Sequence, residues 1–281
     1  MRAAAVVVVL VVLAGCSGIV PGPDPDSGPE TVTPAPVPTD EGFPPGIGPS
    51  GVTDSSALAV AHAAALDGNA YTLLSNRTVR RPNGSIRSVL AVELELSPSR
   101  RYHVDVSVRG PDAPVVIGEP PTRAEYWADD ETYLRRQVID NRTEYSRYDA
   151  SEDYVGTWRF WLGTVALDIG PEADLRRTLD SFRTSVAERT TDDGRELVHI
   201  VGTATRSDEF VDDQSDAGAV TNATLHAFVT ESGFVESYHV VYDAERADGS
   251  VVRVRRSVRF REVGSTTVDR PSWYDEAVAQ G

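Results

Sequence analysis

From residue 70 onward, apolar and polar positions alternate with a period of two over most of the chain, the mark of strands that bury one face. Leu90, Val92, Leu94 and Leu96 alternate with Ala91, Glu93 and Glu95, and Tyr102, Val104, Val106 and Val108 alternate with His103, Asp105, Ser107 and Arg109. Turn residues punctuate these runs. Pro82-Asn83-Gly84-Ser85 predicts a hairpin after the strand opened by Tyr71-Thr72-Leu73-Leu74. Glu125-Tyr126-Trp127 turns at Asp129-Asp130-Glu131 into Tyr133-Leu134-Arg135-Arg136, and 143–148 adds a short edge strand. The last third repeats the pattern over 182–191, 197–205, 221–230, 235–244 and 250–261. The sum is an antiparallel meander with one apolar face.

Helical spacing appears in two places. Asp54-Ser55-Ser56 caps a short helix with Leu58, Ala61, His62 and Ala65 on one side, ended by Gly68. Between the two groups of strands, Tyr154, Trp158, Trp161 and Val165 recur at four, three and four, and Pro171 starts a second helix with Leu175 and Leu179 inward. An antiparallel sheet needs one face covered, and this amphipathic pair can cover it. Tyr154, Trp158 and Trp161 then line a core or a cavity, with Leu94, Val104 and Val106 on the facing strands; an exposed platform for sugar or lipid is the alternative.

The N-terminus reads differently. Arg2 leads into an unbroken apolar run over 3–12 that closes on Leu13-Ala14-Gly15-Cys16. Too short to span about 30 Å of hydrocarbon as a helix, this is a secretory signal with a lipobox, cleaved between Gly15 and Cys16. Arg2 has no neighbouring arginine, so export by the general route is expected. Residues 17–51 are rich in Pro, Gly, Asp and Thr, a composition that cannot bury enough apolar area to offset chain entropy. The expected organisation is a signal over 1–15, a lipidated Cys16 with a disordered tether over 16–52, and one β-rich domain over 53–281. Gly46-Ile47-Gly48-Pro49-Ser50-Gly51 matches the letters of a dinucleotide loop, but no strand precedes it and prolines flank it.

Charge narrows the function. The net charge is −16, all 27 bases are arginine, and such a balance repels nucleic acid. Acid excess, no lysine and a single methionine suit a halophile, whose high salt screens the self-repulsion. Arg253, Arg255 and Arg259 point outward on the last strand and are expected to pair with carboxylates on neighbouring strands. Cys16 is the one cysteine, so neither an intrachain disulfide nor a thiolate metal site is available. Without lysine there is no P-loop and no Schiff base, and no Gly-x-Ser-x-Gly elbow or His-Glu-x-x-His is present. The five histidines fall on separate elements, with His62 read as a packing or surface residue. The acids at 129–131 read as a solvated hairpin tip. Four of the five asparagines, Asn76, Asn83, Asn141 and Asn222, open N-glycosylation sequons.

The lipobox, the acidic tether, the helix over 57–62 running into Tyr71-Thr72-Leu73, the Glu125-Tyr126-Trp127 hairpin and the closing Pro271-Ser272-Trp273-Tyr274 resemble the haloarchaeal secreted lipoproteins whose fold is similar to the carriers LolA and LprG. The resemblance implies an α+β fold: a strongly curved antiparallel sheet, an open half-barrel, with helices covering its concave face. It further implies an apolar concavity that takes acyl chains. The resulting expectation is a non-catalytic, membrane-anchored extracellular domain that binds a lipid-like ligand and needs no cofactor or metal. The alternatives are a structural or adhesion-type envelope lipoprotein with a filled core, and a secreted hydrolase.

Overall fold

The folded chain opens earlier than its composition suggests. The structure, a computed structural model, describes residues 42–280 except 130, 140, 150–156, 165–170, 193, 206 and 212–216. Within it, β1 (Ile47–Gly48) and β2 (Gly51–Val52) form a small hairpin. Ile47 is buried in the main core, Phe43 packs on it, and the Val52 amide donates to Thr184 Oγ1 at 2.9 Å. Residues 42–52 therefore belong to the domain and not to the tether, because three spaced apolar anchors suffice when two glycines make the turns tight. Gly46 has φ +77°, and a Cβ there would lie 2.1 Å from the Asp54 carbonyl oxygen. The dinucleotide-loop letters are this hairpin.

Helix α1 (Ser55–Leu66) follows, capped by the Asp54 carboxylate, which accepts from the Ala57 amide at 2.9 Å. Its buried side is Leu58, Ala59, His62 and Leu66. Gly68, φ +68°, turns the chain into the sheet.

The first meander is β3 (Tyr71–Arg80), β4 (Ile86–Leu96), β5 (Tyr102–Arg109), β6 (Thr122–Ala128), β7 (Thr132–Ile139) and β8 (Arg142–Asp149). Two helices come next, α2 (Trp158–Leu162) and α3 (Pro171–Asp180). The second meander is β9 (Phe182–Asp192), β10 (Arg195–Thr205), β11 (Ala217–Thr230), β12 (Val235–Arg246) and β13 (Val251–Arg261), followed by α4 (Tyr274–Gln280). The two meanders join through an antiparallel β13–β3 pair into one 11-stranded sheet, ordered β8-β7-β6-β5-β4-β3-β13-β12-β11-β10-β9. The stretch containing α2 and α3 thus connects one edge strand to the other.

Register carries the alternation across the sheet. One row runs Ile200, Ala227, Tyr238, Val258, Ser75, Val92, Val106 and Ala124; the next includes Phe260, Leu73, Leu94, Val104 and Tyr126. All of these except the buried Ser75 share one core cluster with Leu58 of α1, Trp161 and Leu162 of α2, and Leu175 and Leu179 of α3. The helices cover this inner face, where each fully buried large aliphatic side chain contributes about 1.5–3 kcal/mol. The predicted inward set on β4 and β5 is buried as its period required.

A second cluster covers part of the outer face. Trp127 and Leu134 project outward from β6 and β7 and pack on Val268, Trp273 and Ala277. Trp127 Nε1 donates to the Asp269 carbonyl at 3.0 Å, and Trp273 Nε1 to Glu125 Oε2 at 2.7 Å. β11 begins at Ala217, ahead of the expected 221, because register shifts on either side of Thr221 and a left-handed Asn222 (φ +52°) let the strand continue through polar residues.

Candidate functional site

Beneath α2 the inner face is aromatic. Trp161 is buried and Trp158 half-buried on α2, while Tyr154 lies outside the described residues. The Trp161 ring sits 4.7 Å from Tyr126 and 4.9 Å from Phe160; Tyr126 stacks on Tyr133 at 5.9 Å, and Tyr133 meets Tyr148 at 5.1 Å. Tyr102 Oη lies 2.7 Å from Thr157 Oγ1 and fixes the start of α2. The band runs toward edge strand β8, where Tyr148 is half-buried, and Phe160 is 56 % exposed. Leu94, Val104 and Val106 are fully buried within the same core. Burial pushes the Tyr102 hydroxyl up to about 12 and raises Tyr126 and Tyr133 as well, so these phenols stay protonated and neutral. Such a surface can hold apolar matter and donate hydrogen bonds from its rim.

Arginines also stand at inward positions of this face: Arg77 on β3, opposite Arg256 in register, Arg256 itself, and Arg135. Arg256 of β13 is buried and its Nη2 lies 2.7 Å from Asp174 Oδ2 on α3; Tyr238 Oη donates to the same oxygen at 2.7 Å. Arg177 approaches the other carboxylate oxygen at 3.3 Å. Arg135 of β7 lies opposite Tyr126 and Ser146. None was singled out from the sequence, although Arg256 breaks the apolar alternation of β13 at an inward position.

The outer face is polar. Its central strands carry the short side chains Ala91, Asn76, Ser257 and Ser237, and above them lies a groove of about 840 Å³ edged by Glu93, Asp105, Arg123, His239 and Arg259. The histidines that looked scattered partly converge here. His226 stacks on His239 at 4.7 Å, and His199 Nε2 lies 3.0 Å from His226 Nδ1. Burial, and then the neighbouring imidazoles and Arg255, push His239 down to about 4. His103 behaves oppositely: burial opposes its charge, but Glu95 at 3.5 Å and Glu125 at 3.7 Å raise it above its ordinary value. His62 is buried against Phe234 and Phe260, a packing residue. Among the described residues no group of three or more His, Cys, Asp or Glu is arranged to hold a metal ion.

Of the outward arginines, Arg253 makes the expected cross-strand pair with Asp243 at 2.8 Å, whereas Arg255 and Arg259 make no ion pair among the described residues. Asp129 caps its own hairpin by accepting from the Thr132 amide at 2.7 Å. Asn83 occupies the β3–β4 turn and Asn141 the β7–β8 turn, both exposed. Asn76 faces outward from β3 and accepts from Thr78 Oγ1 at 2.9 Å, and Asn222 donates to Asp243 at 2.9 Å. Gly15 and Cys16 lie outside the described residues.

The sequence model of a family of unknown function, DUF7537, matches residues 2–277, and the chain belongs to that family. No curated protein matches. Among solved structures, the chain is similar to LprF from Mycobacterium bovis, with 10 % identity and a TM-score of 0.41 over 77 % of this chain and 96 % of that one. It is also similar to the lipoprotein LppX of Mycobacterium tuberculosis, with 8 % identity and a TM-score of 0.37 over 76 % and 97 %. A putative outer membrane lipoprotein-sorting protein domain from Vibrio parahaemolyticus aligns with 7 % identity and a TM-score of 0.25 over 80 % and 98 %.

Proposed function

We propose that this member of DUF7537 is a lipid-anchored extracellular protein that holds an apolar ligand on the inner face of its sheet without transforming it. The observation that carries this reading is the aromatic band from Trp161 through Tyr126 and Tyr133 to the half-buried Tyr148, beside the exposed Phe160. A core residue of that size normally closes over its neighbours. Here the rings step outward to an edge strand, leaving apolar area that a ligand can cover. In this reading the sheet curves as an open half-barrel around α1, α2 and α3, and Tyr154, Trp158 and Trp161 line its mouth above Leu94, Val104 and Val106.

The rest follows from the N-terminus. Cleavage between Gly15 and Cys16 and diacylglyceryl transfer to Cys16 tether the domain at the outer surface of the membrane, each buried methylene contributing about 0.8 kcal/mol to partition. The tether ends before residue 42. All four sequon asparagines are exposed, Asn83 and Asn141 on turns and Asn76 and Asn222 on strands. The acidic, lysine-free composition supports a halophilic archaeal source.

Native mass spectrometry of the protein purified without detergent tests the reading. A co-purifying mass in the range of a lipid, lost on Trp161→Ala, is the expected result. A ligand-free spectrum that also stays unchanged with added lipid would favour the envelope protein with a filled core.

A further inference from the structure

We infer that the ligand of the inner face carries an anionic headgroup, a phosphate or carboxylate on an apolar chain, and that Arg135 receives the anion. The inference rests on the apolar-ligand reading and adds the charge. Arg135 stands on the inner face of β7 between Tyr133 and Gln137, opposite Tyr126 on one side and Ser146 on the other. Its Nη2 donates to Ser146 Oγ at 3.0 Å, and its guanidinium lies 5.9 Å from the centre of the Tyr148 ring. Its Nε is buried without a hydrogen-bond partner. It makes no ion pair among the described residues, and Glu144, the same-face carboxylate nearest in register, is not bonded to it.

That isolation contrasts with how the same chain treats other arginines. Arg136, the next residue, turns to the outer face and meets Glu125 at 2.7 Å. Arg256, also on the inner face, meets Asp174 at 2.7 Å. A half-buried guanidinium beside aromatic rings costs free energy unless an anion faces it, and among the described residues no carboxylate pairs with this one. Two more cations edge the same aromatic surface: Arg100 lies 5.0 Å and Arg159 5.3 Å from the Trp158 ring, again without an ion pair among the described residues. In a protein of net charge −16, an apolar surface edged by arginines that make no ion pair among the described residues selects an amphiphile whose head is negative. The planar fork of Arg135, with Nε free, suits two oxygens of one phosphate or carboxylate.

Two probes with the same chain test this: decyl phosphate and decanol, titrated into the purified protein and followed by tryptophan fluorescence and native mass spectrometry. The expected result is at least tenfold tighter binding of decyl phosphate, lost in Arg135→Gln with decanol affinity unchanged, and kept in Arg136→Gln. Arg135→Met repeats the test should Arg135→Gln unfold, since it removes from an apolar face a charge that has no ion pair among the described residues. Equal affinity for the two probes, or a preference that survives loss of Arg135, overturns the anion assignment and leaves the apolar reading standing. Binding of neither probe overturns both.

Discussion

Asp174 on α3 and Arg256 on β13 meet at 2.7 Å with the carboxylate fully withdrawn from solvent, and this pair pins the crossing helix to the inner face of the sheet. Tyr238 Oη shares the carboxylate from β12. The desolvated charges offset each other only while both are present.

Asp174→Ala should therefore cost about 3–5 kcal/mol, the penalty of an uncompensated buried charge. Replacing both partners, Asp174→Leu with Arg256→Met, should recover most of that loss. Urea unfolding at fixed salt measures both. A cost under about 1 kcal/mol for the single change would mean that water already reaches Arg256.

His62 makes stability depend on pH in a defined direction. Burial against Phe234 and Phe260 pushes it down to about 4 from the ordinary 6.5. Between those values the unfolded chain binds a proton that the folded chain refuses. Its contribution is thus complete above pH 6.5 and is lost as pH falls toward 4, by roughly 3 kcal/mol. His239 acts with the same sign, and His103, raised by Glu95 and Glu125, with the opposite one. Urea midpoints of the wild type and His62→Phe at pH 7.5 and pH 5 should diverge, with the variant losing less. Parallel loss in the two proteins would show that His62 is not desolvated.

Gly46→Ala tests the start of the domain. The residue has φ +77° and a Cβ would strike the Asp54 carbonyl, so the β1–β2 hairpin should detach from β9. Limited proteolysis should then cut within 42–52, with a stability loss of at least about 1–2 kcal/mol. Resistance equal to wild type would mean that the hairpin adapts.

Cys16→Ser should leave the precursor uncleaved or release the protein to the medium, as read by membrane fractionation and intact mass. Unchanged retention by the membrane would contradict lipidation.

Much of the sheet was legible because a period of two survives any tertiary arrangement that keeps one face buried. Leu94, Val104 and Val106 had to point together, and Asp54 and Gly68 had to bound a helix. The hairpin over 47–52 was hidden by a composition typical of linkers: its three anchors, Phe43, Ile47 and Val52, are too sparse to form a period. Helix α4 was hidden for a similar reason, since seven residues are too few to show an amphipathic repeat. Arg256 was visible as a break in the alternation of β13, yet what it faces depends on which helix lies above it.

By itself the sequence determined most strands of the large sheet, their buried faces and the turns between them, all of them local in the chain. The tertiary structure alone decided that β13 pairs with β3, which joins two meanders into one sheet and sends the α2–α3 crossing from edge to edge. That closure sets Asp174 against Arg256 and leaves Arg135 beside Tyr126 and Tyr148 with no ion pair among the described residues. Partners separated by tens of residues are chosen by packing, and no spacing along the chain records the choice.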